Sequence, residues 1–230
     1  MIASMQPAPL LIELVGPPGA GKTTFAQVLC RCTGQVAITR TPYFRELRYI
    51  PFFIYNSILL LPTFARLYTG TAGQELTPRE AALMVLLSGW QRELQREIHR
   101  HQKNILLDEG PICYLSRLYA FGSAAINGPG AQGWWQSMLR LWSQTLDVVI
   151  RLDNPDPTLV DRIRAREMPQ EVKELPDQLA FQYLDSIRSA QDHVLAALAN
   201  DSRGPRVLAF DTLQYSPDQI STQIIHTLGL

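Results

Sequence analysis

The segment Leu10–Phe25, LLIELVGPPGAGKTTF, limits what this chain can fold into more than any other. Leu10 to Val15 is a short apolar run between Pro9 and Gly16, which reads as a buried strand. Gly16-Pro17-Pro18-Gly19-Ala20-Gly21-Lys22-Thr23 then matches the phosphate-loop pattern G-x-x-x-x-G-K-[ST] at every fixed position. From Thr23-Thr24 onward, TTFAQVLCRC reads as a helix. Glycines let successive backbone N–H groups converge on one concavity. The new helix aims its unpaired N–H groups and positive dipole end at the same point. Lys22 can bring a point charge to the outer phosphates, and the Thr23 hydroxyl can ligate Mg²⁺. A chance Gly/Pro-rich turn has no reason to lie between a strand and a helix. The expectation is a bound nucleoside triphosphate on the Gly16–Thr24 backbone.

The rest of the chain alternates strands and helices. Gly34 is a natural stop for the first helix. Gln35–Thr39 reads as a second strand, broken by Arg40-Thr41-Pro42. A largely helical region follows, from Tyr43 to about Tyr68 with proline interruptions, then from Thr77 to about His101. Thr77, Pro78 and Glu80 form a capping-box start for its second part. Asn104–Leu107, Asp147–Leu152 and Arg206–Phe210 read as three more strands, with helices from Ile112, Trp134 and Ser216-Pro217. This alternation predicts a parallel sheet with helices on both faces and ligands beyond the carboxyl ends of the strands. The phosphate loop, Arg40, Asp108 and Asn154 all fall at that edge.

Composition narrows the function. At 230 residues, one α/β domain with insertions is expected across 1–230. Lys plus Arg equals Asp plus Glu at 21 each, so no bulk charge argues for nucleic acid. Three cysteines, with no zinc-type spacing, point to a reducing cytoplasmic setting. Cys30 and Cys32 read as small apolar packing in the first helix. The N-terminus MIASMQPAP lacks the basic and apolar regions of a signal peptide. Ile50–Pro62, IPFFIYNSILLLP, is too short for a bilayer span of about 20 apolar residues. It reads as a buried or pocket-lining helix, with membrane-surface contact as the alternative and no stable insertion.

Two further stretches carry chemistry. Asp108 ends an apolar strand opposite the phosphate loop. A carboxylate there can hold Mg²⁺ through water or accept a proton from an attacking hydroxyl, and Glu109 competes for either task. Arg162-Ile163-Arg164-Ala165-Arg166-Glu167 follows a helix start at Asp156-Pro157. Arg162 and Arg166 share a helix face, and clustered guanidiniums can neutralise charge on a transferring phosphoryl group. A solvated basic face pairing with Glu167, Glu171 and Glu174 is the plainer reading. The polar stretch MPQEVKELPD directly after the arginines favours a mobile lid over about 156–178. Arg40, Tyr43, Phe44 and Arg45, with Trp90 and Gln91 on the helix above, are candidates for an acceptor pocket within about 41–103. At helical spacing such aromatics also suit a core.

These residues together resemble the P-loop kinases of the nucleoside, deoxynucleoside and thymidylate kinase type. GPPGAGKT resembles their phosphate loop, LLDEGP the acidic residue after the third strand, RIRARE the arginine-bearing lid, and FQYLDSIRSAQDHV the helix after it. The resemblance implies a three-layer P-loop NTPase fold, a five-stranded parallel sheet of order 2-3-1-4-5, and ATP as donor. It implies Asp108 as base or magnesium-side carboxylate, with Arg162, Arg164 and Arg166 facing the phosphates. It is compatible with a homodimer paired through helices and with a small-molecule acceptor. One departure is that the family usually follows its acidic residue with arginine, and Glu109 stands there.

Two other classes compete. Leu87-Ser88-Gly89-Trp90-Gln91 followed by ILLDE resembles the signature and acidic strand of ABC-type ATP hydrolases, with Glu109 as the activating glutamate. Against this, Trp90 replaces the signature's second glycine, and no histidine switch follows Asp108. A GTPase would need an N-K-x-D guanine motif, which the chain lacks. A regulator that binds nucleotide without turnover is the third class.

Overall fold

The computed structural model describes residues 8–39, 41–43, 46–68, 75–166 and 172–230. Five strands, β1 (Leu11–Val15), β2 (Val36–Thr39), β3 (Asn104–Leu107), β4 (Val148–Asp153) and β5 (Arg206–Asp211), form one sheet in the order β2-β3-β1-β4-β5. Every pairing is parallel, and Ile12 lies level with both Leu106 and Val148. The sheet order is the one the resemblance implied. The helices are α1 (Lys22–Thr33), α2 (Ile50–Tyr68), α3 (Pro78–His101), α4 (Pro111–Phe121), the short α5 (Ala124–Asn127), α6 (Gln132–Ser143), α7 (Asp156–Arg164), α8 (Asp177–Ala199) and α9 (Pro217–Leu228).

Two apolar cores sandwich the sheet. Leu11 and Val15 of β1 face the core shared with α3, α4 and α6, whereas Ile12 and Leu14 face the core shared with α1, α7 and α9. That alternation is the period-two geometry of a strand. Burial on both faces explains why β1 and β3 read as continuous apolar runs. α3 starts at the expected capping box: Glu80 N–H donates to Thr77 Oγ1 at 3.2 Å, and Thr77 N–H donates to Glu80 Oε2 at 2.7 Å. A cap of this kind contributes about 1 kcal/mol.

Three local expectations need correction. The apolar segment expected to be a buried or pocket-lining helix is α2, and although Phe53 lines a cavity most of the helix faces outward: Ile50, Ile54, Ile58, Leu59 and Leu61 are exposed, and among its described side chains Asn56, Leu60 and Leu67 are buried. Helical spacing shows that a segment is helical, not how many neighbours cover it. Pro62 does not interrupt α2. The carbonyl it leaves unpaired belongs to Ile58, on the outward face, where water can take the bond. Cys32 is exposed rather than packed, while Cys30 does pack against the α1 core, and all three cysteines are free thiols.

Candidate active site

The phosphate loop runs from the end of β1 into α1. Gly16 has φ +151°, and a Cβ there would lie 2.0 Å from the Leu152 carbonyl oxygen of β4. Gly21 has φ +87° at the start of α1, a left-handed conformation that side-chain-bearing residues avoid. Lys22 folds back over the loop, its Nζ donating to the Gly16 carbonyl at 2.7 Å and the Pro17 carbonyl at 3.1 Å. Burial pushes its ammonium below the usual lysine range, and the charges of Asp108 and Glu109 oppose that shift. By accessible surface Lys22 is half-buried, so its ammonium still reaches the space above the loop, where an anion would add counter-charge.

Asp108 closes the other side. It follows β3, and its Oδ2 accepts a hydrogen bond from Thr23 Oγ1 at 2.8 Å. Its Oδ1 is buried with no hydrogen-bond partner. Mg²⁺ prefers hard oxygens and usually takes one or two carboxylates beside substrate phosphates. The Thr23 hydroxyl and the under-satisfied Asp108 carboxylate fit that donor set. Among the described residues no group of three or more His, Cys, Asp or Glu converges on a point.

Gly16, Pro18, Gly19, Gly21, Lys22 and Thr23 wall one cavity of about 330 Å³ together with Asp108 and Glu109. The arginines of 162–166 part company around it. Arg166, just beyond the end of α7, lines the cavity. Arg162 sits behind the loop, with its Nη1 3.5 Å from the Gly19 carbonyl and 3.4 Å from Thr212 Oγ1. Arg164 is turned away, donating to the Leu175 carbonyl at 2.9 Å and pairing with Asp177 at 2.7 Å. α7 ends at Arg164, so a helix face shared by Arg162 and Arg166 does not form. Residues 167–171 of the expected lid lie outside the described residues.

A second cavity of about 970 Å³ adjoins the first, and Arg117 and Tyr183 line both. Its wall is largely apolar, with Phe53 of α2, Leu83 and Leu86 of α3, and Leu118 and Phe121 of α4. Tyr43 lines it, and Arg40, Phe44 and Arg45 lie outside the described residues. Glu80 also lines it. Its Oε1 and Oε2 are occupied by Ser123 N–H at 2.5 Å and Ser123 Oγ at 3.0 Å, beside the cap bonds. Burial pushes the Tyr114 hydroxyl up to about 12, against a 3.3 Å contact with Thr41 Oγ1. Tyr114 therefore stays neutral at physiological pH.

Trp90 and Gln91 line neither cavity. Trp90 is 1 % exposed in the core, edge-on to Trp142 at 6.1 Å and to Tyr114 at 6.2 Å. It backs the wall that Tyr114 forms. Placing it in the pocket mistook a core aromatic at helical spacing for a ligand contact. The same placement removes the ABC-like reading of 87–91. That segment lies inside α3 with Leu87, Gly89 and Trp90 buried, so it cannot face the phosphates of another copy.

No known protein-family profile matches this sequence, and no curated protein does. Solved structures do match. A deoxyadenosine kinase from M. mycoides with bound dATP superposes with a TM-score of 0.57 at 17 % identity, over 96 % of this chain and 100 % of that one. Thymidylate kinase from Candida albicans superposes with a TM-score of 0.56 at 18 % identity, over 96 % of this chain and 93 % of that one. This chain has the fold of the deoxynucleoside and thymidylate kinases.

Within that kinase fold, three residues escaped the sequence reading. Arg117 stands on α4 at the junction of the two cavities, four residues after Cys113, which lines the phosphate side. Position 109 holds a glutamate, and Arg117 of α4 stands on the wall of the same cavity. Gln191 of α8 is buried on the phosphate cavity with its Oε1 unpartnered. Glu13, at the centre of β1, is fully buried and accepts N–H bonds from Ile112 at 3.1 Å and Cys113 at 3.0 Å. It grips the first turn of the helix that carries Arg117. Burial pushes its carboxyl up to about 8, against the pull of those N–H groups. A carboxylate on the same strand face as Leu11 and Val15 was the available signal.

Proposed function

We propose that this chain is an ATP-dependent phosphotransferase that moves the γ-phosphoryl group to a small-molecule acceptor. The observation that carries the reading is the junction itself: a phosphate loop and a facing carboxylate in one cavity, continuous through Arg117 and Tyr183 with a larger cavity. A hydrolase needs room for water only, whereas about 970 Å³ of largely apolar space accommodates a whole second substrate.

In this reading the donor's phosphates lie on the Gly16–Thr24 backbone. Lys22 turns from the Gly16 and Pro17 carbonyls to the outer phosphates. Thr23 and Asp108 would hold Mg²⁺, which would supply neutralisation of phosphate charge there. The acceptor hydroxyl enters over Asp108, which takes its proton as the new O–P bond forms and the bond to the departing ADP breaks. Arg166 adds positive charge from the far side, Arg162 braces the loop through Gly19, and Arg117 holds the acceptor at the junction. Glu109 lines the same cavity and is more exposed than Asp108. The apolar wall favours an acceptor with an aromatic or aliphatic body around one reactive hydroxyl or phosphate.

The test is a panel of nucleosides, nucleotides, sugars and apolar alcohols read by ADP release. The reading expects ATP consumption that rises steeply with one acceptor class. Unstimulated hydrolysis across the panel would support a hydrolase, and ATP binding without turnover would support a regulator.

A further inference from the structure

α2 has two faces with different fates. Asn56, Leu60 and Leu67 pack inward, and Phe53 reaches the acceptor cavity. The outward face presents Ile50, Ile54, Ile58 and Leu61 at helical spacing, and Leu47, 81 % exposed, extends the stripe beyond the helix start. The segment Leu47–Leu67 is long and apolar enough to cross a membrane by length and composition, and it contains no Asp or Glu. Its inward side chains are held by the protein, so this helix can lie along a bilayer but not through one. An exposed apolar stripe along one face of a helix points to an interaction surface.

The flank of α2 indicates what covers it. A groove of about 590 Å³ runs between α2 and α3, where Arg92, Arg96 and Arg100, spaced four apart, join Arg48. Phe52 and Tyr55 of α2 form its other wall. Glu93 and Glu97 also line the groove, so four guanidiniums face two carboxylates. Arg96 pairs with Glu93 at 2.5 Å, Arg48 pairs with Glu46 at 2.8 Å, and Arg92 bonds Asn56 and lies over the Tyr55 ring. Among the described residues no carboxylate pairs with Arg100, and Lys103 adds a further cation just beyond the end of α3. An apolar stripe bordered by cations is the pattern of a helix lying in an anionic lipid interface. A twofold pairing of two copies through antiparallel α2 helices would instead set this arginine flank against itself, which like charge disfavours.

We propose that the protein docks on anionic lipid surfaces through α2, the apolar stripe entering the acyl boundary while the arginine groove takes lipid phosphates. The test is sedimentation of the full chain with phosphatidylcholine vesicles, with and without phosphatidylglycerol, read without ATP or acceptor. Binding should require phosphatidylglycerol and weaken as salt rises. Ile54→Ser and Ile58→Ser should each weaken it about tenfold. Arg96→Gln and Arg100→Gln should each weaken it about fivefold. Circular dichroism of each variant should match that of the parent. Binding that ignores phosphatidylglycerol, or no binding at all, overturns the proposal. So does a dimer in sedimentation velocity that Ile58→Asp dissociates, since the stripe would then belong to a second copy. Because the readout uses no nucleotide, its failure leaves the kinase reading standing, and failure of that reading leaves this one standing.

Discussion

The two cavities are built in opposite ways. The phosphate-loop side is built around one unbroken stretch, Gly16 to Thr23, which acts through backbone geometry and is closed by single residues from α4 and α8. The larger cavity, the proposed acceptor side, has no such central loop and is assembled from the 41–43 segment and from α2, α3, α4 and α8. In the proposed reaction the polyphosphate is a constant ligand, so a short contiguous loop suffices to hold it. An acceptor is recognised by shape, and shape is set by how distant helices pack. Mutations on the two sides should therefore separate kinetically.

The largest separation should come at the junction. Asp108→Asn should lower turnover about 10²–10⁴-fold while ATP affinity stays within a few-fold, measured by steady-state ADP release and by ATP titration. Equal loss of both would make Asp108 a structural residue. Next, Lys22→Ala should cost about 10²–10³-fold in turnover, with unchanged circular dichroism. Retained activity would break the phosphate half of the comparison.

On the acceptor side the effects should be smaller and of another kind. Arg117→Gln removes one charge-assisted contact, so acceptor KM should rise about 10- to 100-fold while KM for ATP barely moves. Trp90→Phe should lower the melting temperature and leave both KM values alone, since Trp90 only backs the wall. A changed acceptor KM in that variant would return Trp90 to the site.

The smallest effect concerns the scaffold between the halves. Glu13 has its carboxyl raised from 4.5 to about 8 in the folded protein. Between those values the folded state binds more protons than the unfolded one, so stability should fall as pH rises through that window and level off above about 8. Glu13→Gln should flatten that slope in urea melts taken at several pH values. An unchanged slope would assign the pH dependence elsewhere.

Much of the fold was legible because its signals are local. The phosphate loop, the Thr77–Glu80 cap, the Gly34 stop and four-residue β3 each announce themselves within a few residues. The sheet order followed from family resemblance, and the strand pairings agree with it. What escaped depends on direction rather than type. Trp90 and Tyr114 are both aromatic on site-facing helices, yet one is core and the other is wall. Arg164 and Arg166 differ by two positions, and the end of α7 between them sends one to Asp177 and the other to the phosphate cavity. Glu13 was hidden by averaging, because one carboxylate in an apolar run leaves the run apolar. α2 misled for the converse reason: its sequence looks like a core helix, and its outer face is bare.

The central claim is that an acceptor and a nucleotide meet at Asp108. Its most direct test is acceptor-stimulated ADP release, compared between the parent protein and Asp108→Asn at saturating MgATP. The account predicts strong stimulation in the parent, loss of that stimulation in the variant, and nearly equal ATP affinity in both. ATP consumption that no acceptor changes, and that survives Asp108→Asn, would contradict it.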